Sequence, residues 1–213
     1  MQDIVILGAG GGSRSFLWLL ETINDERPAW NILGFIDENP ALHGTIHCEL
    51  PVLGGFEWFE GRRPLVAHGV GSPAVRRRFV EKARERGLEF VRAIAPDVRH
   101  SRFVTFGAGC LVCAGTLLTS HIKIGNHCLI NLSSTIGHDT VMEDFCTLAP
   151  GVHLSGNAYL EEGVEIGAGA VVIPGRRIGR NSVIGAGAVV TSDIPENSVA
   201  VGVPAKVIKS AAA

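Results

Sequence analysis

The chain has 213 residues, 46% of them hydrophobic and 19% charged, with a formal net charge of -2. That length and apolar content suffice for one large domain or two small ones, and the small net charge argues against a nucleic-acid partner held by electrostatics. No run of about 18 apolar residues suggests a membrane span, and the first twenty residues read as a strand and a helix rather than a cleavable leader, so a soluble, cytoplasmic protein is expected.

The first 95 residues alternate strand-like and helix-like segments. IVILG (4–8) is followed by a helix from about Ser13 to Asn24, then ILGFID (32–37), PLVAHG (64–69), a helix from about Pro73 to Arg86, and EFVRAI (89–94). This pattern predicts a small α/β domain over residues 1–95 with a parallel sheet. The first strand runs into GAGGGS (8–13), where glycines admit a ligand close to the backbone and a helix N-terminus offers N–H groups to phosphate. Ser13 stands where a dinucleotide fingerprint has its third glycine, and four short strands are too few for a full dinucleotide fold. Another phosphorylated ligand fits better, with a purely structural glycine turn as the rival reading. Asp37 ends the second strand, where such folds place an acid near a ribose or base; a polar turn in DENP is the alternative. Arg76, Arg77, Arg78, Lys82, Arg84 and Arg86 interleave with Glu81 and Glu85, as on a solvated helix face.

From about residue 98 the period becomes six. Steps of six from Phe106 to Val190 meet fifteen apolar residues in succession, and four residues after each comes a mostly small or β-branched one, Arg176 excepted. This is the pattern of a hexapeptide-repeat β-solenoid over residues 96–213, in which three hexads make a coil, residues eighteen apart stack, and about five coils form. The five cysteines are an odd set without a secretory signal, so reduced thiols are expected. Cys110, Cys128 and Cys146 fall eighteen apart in the small inward column, which makes them core residues and argues against a redox role for Cys110-x-x-Cys113.

A solenoid needs no histidine, yet His121, His127, His138 and His153 lie within it. No two are five apart, the spacing of zinc sites in hexapeptide-repeat carbonic anhydrases, so no metal is expected. His121 lies eighteen residues before Asp139 and should stack on it. In NLSSTIGHDTVMEDF (131–145), His138 precedes Asp139. Imidazole titrates near neutrality and a neighbouring carboxylate orients it and raises its basicity, which suits a general base; polar decoration of a turn is the alternative.

Three stretches, GAGGGSR with FIDEN, INLSSTIGHD, and GVPAKVI, together resemble a bacterial family of left-handed β-helix sugar acyltransferases. It includes nucleotide-aminosugar N-acetyltransferases of the bacillosamine and perosamine type and proteins called sialic acid O-acetyltransferase-like. The resemblance implies a Rossmann-like N-terminal domain, a left-handed parallel β-helix, and a homotrimer with active sites between neighbouring helices. It implies that His138 takes a proton from the sugar amine as the amine attacks the thioester of acetyl-CoA, that Asp139 supports its basicity, and that the Gly156 N–H stabilises the oxyanion. Asn131 would lie near the acceptor sugar. Gly10, Gly11, Gly12, Asp37 and Glu38 would hold the nucleotide-sugar. Thr147, Ala168 and Ala186 would line the acetyl-CoA groove, with Lys206 of GVPAK available to a CoA phosphate.

The chain departs from the family pattern at three places: Gly12 and Thr147 each replace a usual histidine, and AHGVGSP (67–73) replaces an IGDN-like turn. The implied activity is N-acetylation of a nucleotide-linked amino sugar for surface glycan synthesis, without metal and without an acyl-enzyme. Sugar O-acetylation and a non-catalytic nucleotide-sugar-binding scaffold are the alternatives.

Overall fold

The computed structural model describes residues 1–210. The chain divides into two compact units, Met1–Pro96 and Asp97–Ala213. In the first, β1 (Gln2–Leu7), β2 (Trp30–Ile36), β3 (Ile46–His47), β4 (Leu50–Gly54) and β5 (Leu65–His68) form a sheet of order β3-β4-β2-β1-β5. Strand β1 is parallel to β2 and β5, and β2 is parallel to β4. Ile4 to Leu7 are wholly buried, as in a central strand covered on both faces. Helix α1 (Ser13–Glu26) buries Phe16, Leu17, Leu20 and Ile23, an i, i+1, i+4, i+7 stripe. Helix α2 (Pro73–Glu85) adds Phe79 and Ala83 to a core of Val5, Leu7, Ile36, Phe56, Phe59 and Val66.

Three features differ from the sequence-based expectation. The sheet is not wholly parallel, because β3 and β4 form an antiparallel hairpin at one edge. Its two turn residues, Cys48 and Glu49, have φ of 48° and 64°, the conformation that usually selects Asn-Gly, so the sequence carries no turn signal. The segment 89–94 is not a continuous strand: Phe90 makes one bridge to Val66, and Ala93–Ile94 is a two-residue strand. Finally, Arg76 does not belong to the solvated face of α2. It is fully buried, and its Nη1 donates to the carbonyls of Val70 (3.0 Å) and Gly71 (2.8 Å), bracing the segment that leads into the helix.

The second unit is a three-sided prism of two-residue strands. Each strand pairs in parallel with the one eighteen residues on, as Leu117–Leu118 does with Thr135–Ile136 and Leu129–Ile130 with Thr147–Leu148. The six-residue column is the core: from Val112 to Val190 every member is buried, and of the small residues four positions on only Arg176 is not. Between strands the chain turns a corner through one left-handed residue. Gly109, Gly115, His121, His127, Ser133, Asp139, Phe145, Gly151, Asn157, Gly163, Gly169, Gly175, Asn181 and Gly187 all have φ between 54° and 73°. Most of these are glycine or asparagine, which adopt that conformation at low cost; Asp and His tolerate it better than most residues, and Ser and Phe there are strained.

Eighteen-residue spacing sorts the corners onto three edges. The first carries residues 102–103, 120–121, 138–139, 156–157 and 174–175. The second carries 108–109, 126–127, 144–145, 162–163 and 180–181, and the third 114–115, 132–133, 150–151, 168–169 and 186–187.

Candidate active site

His138 and Asp139 form a corner on the first edge, between the buried residues Ile136 and Thr140. Both side chains are exposed, and the imidazole Nδ1–H donates to Asp139 Oδ2 at 2.8 Å. A carboxylate only accepts, so this bond puts the proton on Nδ1 and leaves Nε2 as the basic atom. The corner is fixed to its neighbours by main-chain bonds, Asp139 N–H to Ser120 O (3.1 Å) and Asn157 N–H to His138 O (2.8 Å). One coil onward, Gly156 lies under the ring: a Cβ there would stand 2.6 Å from Nε2. The Gly156 N–H has no acceptor among the described residues, although the residue is buried. An amide so placed is costly unless something accepts from it.

The other edges put this amide in context. On the second edge, side chains satisfy the equivalent N–H groups: Asn126 serves Ala108 (2.9 Å), Asp144 serves Asn126 (2.7 Å), Glu143 serves Glu162 (3.0 Å) and Glu161 serves Arg180 (3.0 Å). Four of that edge's five corner amides are thus served, the Asp144 N–H having no acceptor among the described residues. On the third edge, Asn131 Oδ1 accepts from Leu132 N–H at 2.8 Å, but the exposed Ala168 and Ala186 N–H groups, one coil apart, have no acceptor among the described residues. Thr147 is buried on the sheet that ends at this edge, and Lys206 begins an exposed strand antiparallel to Ser198–Val201 on the same sheet. His138, Asp139 and Gly156 therefore share the first edge, whereas Asn131, Ala168 and Ala186 lie on the third and Thr147 and Lys206 on its adjoining sheet. One face of the prism separates the two groups within a chain.

His121 occupies the corner one coil before Asp139, but its ring does not stack on that carboxylate. It stacks on Phe103, with centroids 4.7 Å apart and planes 11° from parallel, because the two corners are equivalent and both side chains are flat. The cysteine column is inward as expected: Cys110, Cys128 and Cys146 are buried, and their thiols donate to Gly125 O, Glu143 O and Glu161 O at 3.0 to 3.1 Å. Burial pushes the Cys113 thiol up to about 12. Neither CxxC residue is a usable nucleophile at neutral pH.

In the first unit, Gly8 (φ 98°) leaves β1 with its N–H on Ile36 O. Asp37 closes the loop, accepting from Ala9 N–H (2.8 Å) and Asn39 N–H (2.9 Å). Gly10 and Gly11 face open space, where a Cβ would meet nothing within 4 Å. Gly12 is the N-cap of α1, and that helix start has neither a side-chain cap nor an acid in its first turn. Glu38 is not open to a ligand in the same way, since it pairs with Arg78 (3.0 Å) and Lys82 of α2. A cavity of about 890 Å³ opens elsewhere, at the amino ends of β1 and β5, and contains none of the candidate residues. Among the described residues no group of three or more His, Cys, Asp or Glu side chains could hold a metal ion.

Comparison with known proteins follows the same division. Residues 3–83 match the PglD N-terminal domain, and residues 157–192 match the bacterial transferase hexapeptide repeat. The galactoside O-acetyltransferase of Lactococcus lactis is 45% identical over 86 residues, 40% of this chain and 42% of that one, so the chain spans less than half of that relative's length. Likeness to solved structures is end to end. PerB from Caulobacter crescentus, in complex with CoA and GDP-perosamine, superposes with a TM-score of 0.88 at 30% identity over 98% of both chains. The acetyltransferase domain of PglB from Neisseria gonorrhoeae, in complex with acetyl coenzyme A, gives 0.89 at 28% identity over 97% of this chain and 99% of that one. An N-terminal α/β unit, a hexapeptide solenoid and full-length likeness at this identity together make the chain a member of the left-handed β-helix sugar acyltransferase family.

Proposed function

We propose that this protein transfers the acetyl group of acetyl-CoA to the amino group of a nucleotide-linked sugar destined for a surface glycan, with His138 as general base. The observation that carries the proposal is the arrangement of three residues on one edge. Asp139 holds the imidazole so that Nε2 is basic, and Nε2 lies over Gly156, whose N–H lacks an acceptor. A thioester carbonyl oxygen directed at that N–H would be stabilised as negative charge develops on it. The sugar nitrogen attacks the carbonyl carbon as Nε2 takes its proton; the C–S bond then breaks, and the imidazolium returns the proton to the CoA thiolate. No acyl-enzyme is needed, and the buried Cys146 is unsuited to form one.

The separation of the candidate residues onto two edges bears on assembly. In a closed threefold arrangement the first edge of one copy meets the third edge of the next, so Ala168, Ala186 and Asn131 of one subunit would serve His138 of another. We therefore propose a homotrimer with acetyl-CoA in the groove between subunits, its amide carbonyls accepting from the open N–H groups of Ala168 and Ala186. The open glycine loop at Gly10–Gly12, with Asp37 beneath it, would take the nucleotide.

The test is acetyl transfer measured on purified protein with a panel of nucleotide-linked amino sugars. His138→Ala should lower kcat by about 10²- to 10⁴-fold, and Asp139→Asn, which tolerates the left-handed corner, should lower it less. Turnover by His138→Ala near the wild-type rate would overturn the assignment. The similarity to a galactoside O-acetyltransferase supports a second reading, transfer to a sugar hydroxyl through the same base; preference for the hydroxy member of matched amino and hydroxy sugars would establish it.

A further inference from the structure

We infer that the first edge continues on the amino-terminal side of His138 as the subsite for the acceptor's anomeric phosphate, with Arg102 as the residue that reads it; this rests on the function proposed above. The corner one coil before His138–Asp139 is Ser120–His121, and two coils before is Arg102–Phe103. His121, left-handed at φ 56°, is held from two sides: its ring lies on that of Phe103, and its Nδ1 is 2.8 Å from Ser120 Oγ. The Arg102 guanidinium lies 4.8 Å from the centre of the Phe103 ring and is ion-paired with no carboxylate among the described residues. Phe103 remains 48% exposed. A free cation is thus backed by a two-ring stack on the edge that carries the base.

The direction follows from what lies on each side. On the carboxy-terminal side, the edge has Gly156–Asn157 and Pro174–Gly175, with no charge, and the Gly156 N–H, buried beneath the His138 ring, assigns that side to the acyl group. The rest of the acceptor is left the amino-terminal side. Coils are spaced like neighbouring strands, so two coils put Arg102 roughly 10 Å along the edge from His138. An amino sugar whose amine lies across the ring from its anomeric oxygen, with that amine at Nε2, directs the phosphate along the edge to within reach of a long side chain. Arginine suits this task because its planar fork binds two phosphate oxygens at once.

The experiment compares GDP-perosamine, which carries the anomeric phosphate, with methyl perosaminide, which does not, as acceptors for wild type, Arg102→Gln, Arg102→Lys and the control Arg99→Gln. Arg102→Gln should raise KM for GDP-perosamine about tenfold, and Arg102→Lys should recover part of that loss. KM for acetyl-CoA and for methyl perosaminide should not move, and Arg99→Gln should match wild type throughout. An unchanged KM for GDP-perosamine in Arg102→Gln, or an equal rise with methyl perosaminide, overturns the subsite while the acetyltransferase assignment stands. Where another nucleotide-linked amino sugar of the panel is the better acceptor, it and its methyl glycoside replace this pair, and failure of the wild type with every member overturns both.

Discussion

The imidazole of His138 fills the space that a side chain at position 156 would need, with Nε2 2.6 Å from the place of a Cβ. Gly156 is not in a left-handed conformation, so alanine fits the backbone, and the nearest atoms its Cβ would meet are those of the ring. That ring is the exposed end of a flexible side chain, and it can swing away. Gly156→Ala should therefore fold with a melting temperature close to wild type and lose about a hundredfold in kcat, the usual cost of moving a catalytic group by an ångström. Gly137→Ala is the contrast: its Cβ would stand 2.4 Å from the main-chain nitrogen of Gly156, which cannot yield cheaply. This variant should lose stability as well as activity. Calorimetry beside steady-state kinetics separates the two.

Thiol chemistry checks the inward column. Cys48 is exposed on the β3–β4 turn, whereas Cys110, Cys113, Cys128 and Cys146 are buried and Cys113 is pushed up to about 12 by burial. At pH 8 a thiol reagent should titrate one cysteine per native chain and all five after unfolding in guanidinium. Rapid titration of a second native thiol would place one of the four outside the prism.

Much of this architecture was legible in the residues because a period of six leaves little freedom. Once Ile136 and Thr140 are inward, His138 and Asp139 must lie on the corner between them, and Gly156 must follow one coil later. What the sequence does not carry is the state of each corner amide. Whether the N–H of Glu162 is satisfied depends on Glu143, and that of Arg180 on Glu161, both nineteen residues away. The served amides of the second edge and the open N–H groups of Gly156, Ala168 and Ala186 emerge only when side chains are placed. The hairpin turn at Cys48–Glu49 was hidden because neither residue type marks a left-handed turn. Arg76 was hidden because its charge pattern is that of a surface helix and the carbonyls of Val70 and Gly71 that accept from it have no sequence signature.

The burial of Arg76 has a consequence for stability. Arg76→Met keeps much of the volume but leaves the carbonyls of Val70 and Gly71 without the guanidinium that now serves them. Losing such charge-assisted bonds inside a packed unit should cost about 3 kcal/mol, read as a lower urea midpoint. Arg77→Met, one residue on and partly exposed, is the comparison and should lower the midpoint less. Equal midpoints for the two variants would show that Arg76 is not a brace.

The final prediction concerns acid. Glu161 accepts from Arg177 Nε–H at 2.7 Å and from Arg180 N–H at 3.0 Å. The Arg177 bond chiefly, and the Arg180 amide with it, hold its carboxyl below the ordinary 4.5, against the opposing effect of burial. A carboxyl with a lowered folded pKa binds fewer protons folded than unfolded in the interval between the two values. Its contribution to stability is therefore complete above about pH 4.5 and is lost as pH falls through the folded value. Glu161→Gln removes the titration, so its urea midpoint should fall less steeply than wild type below pH 4.5 while differing modestly at pH 7, where the exposed Arg177 limits what the pair contributes. Parallel acid limbs for the two proteins would mean that Glu161 is not held below its ordinary range, and that the cap it provides for the Arg180 corner adds no acid sensitivity to the second edge.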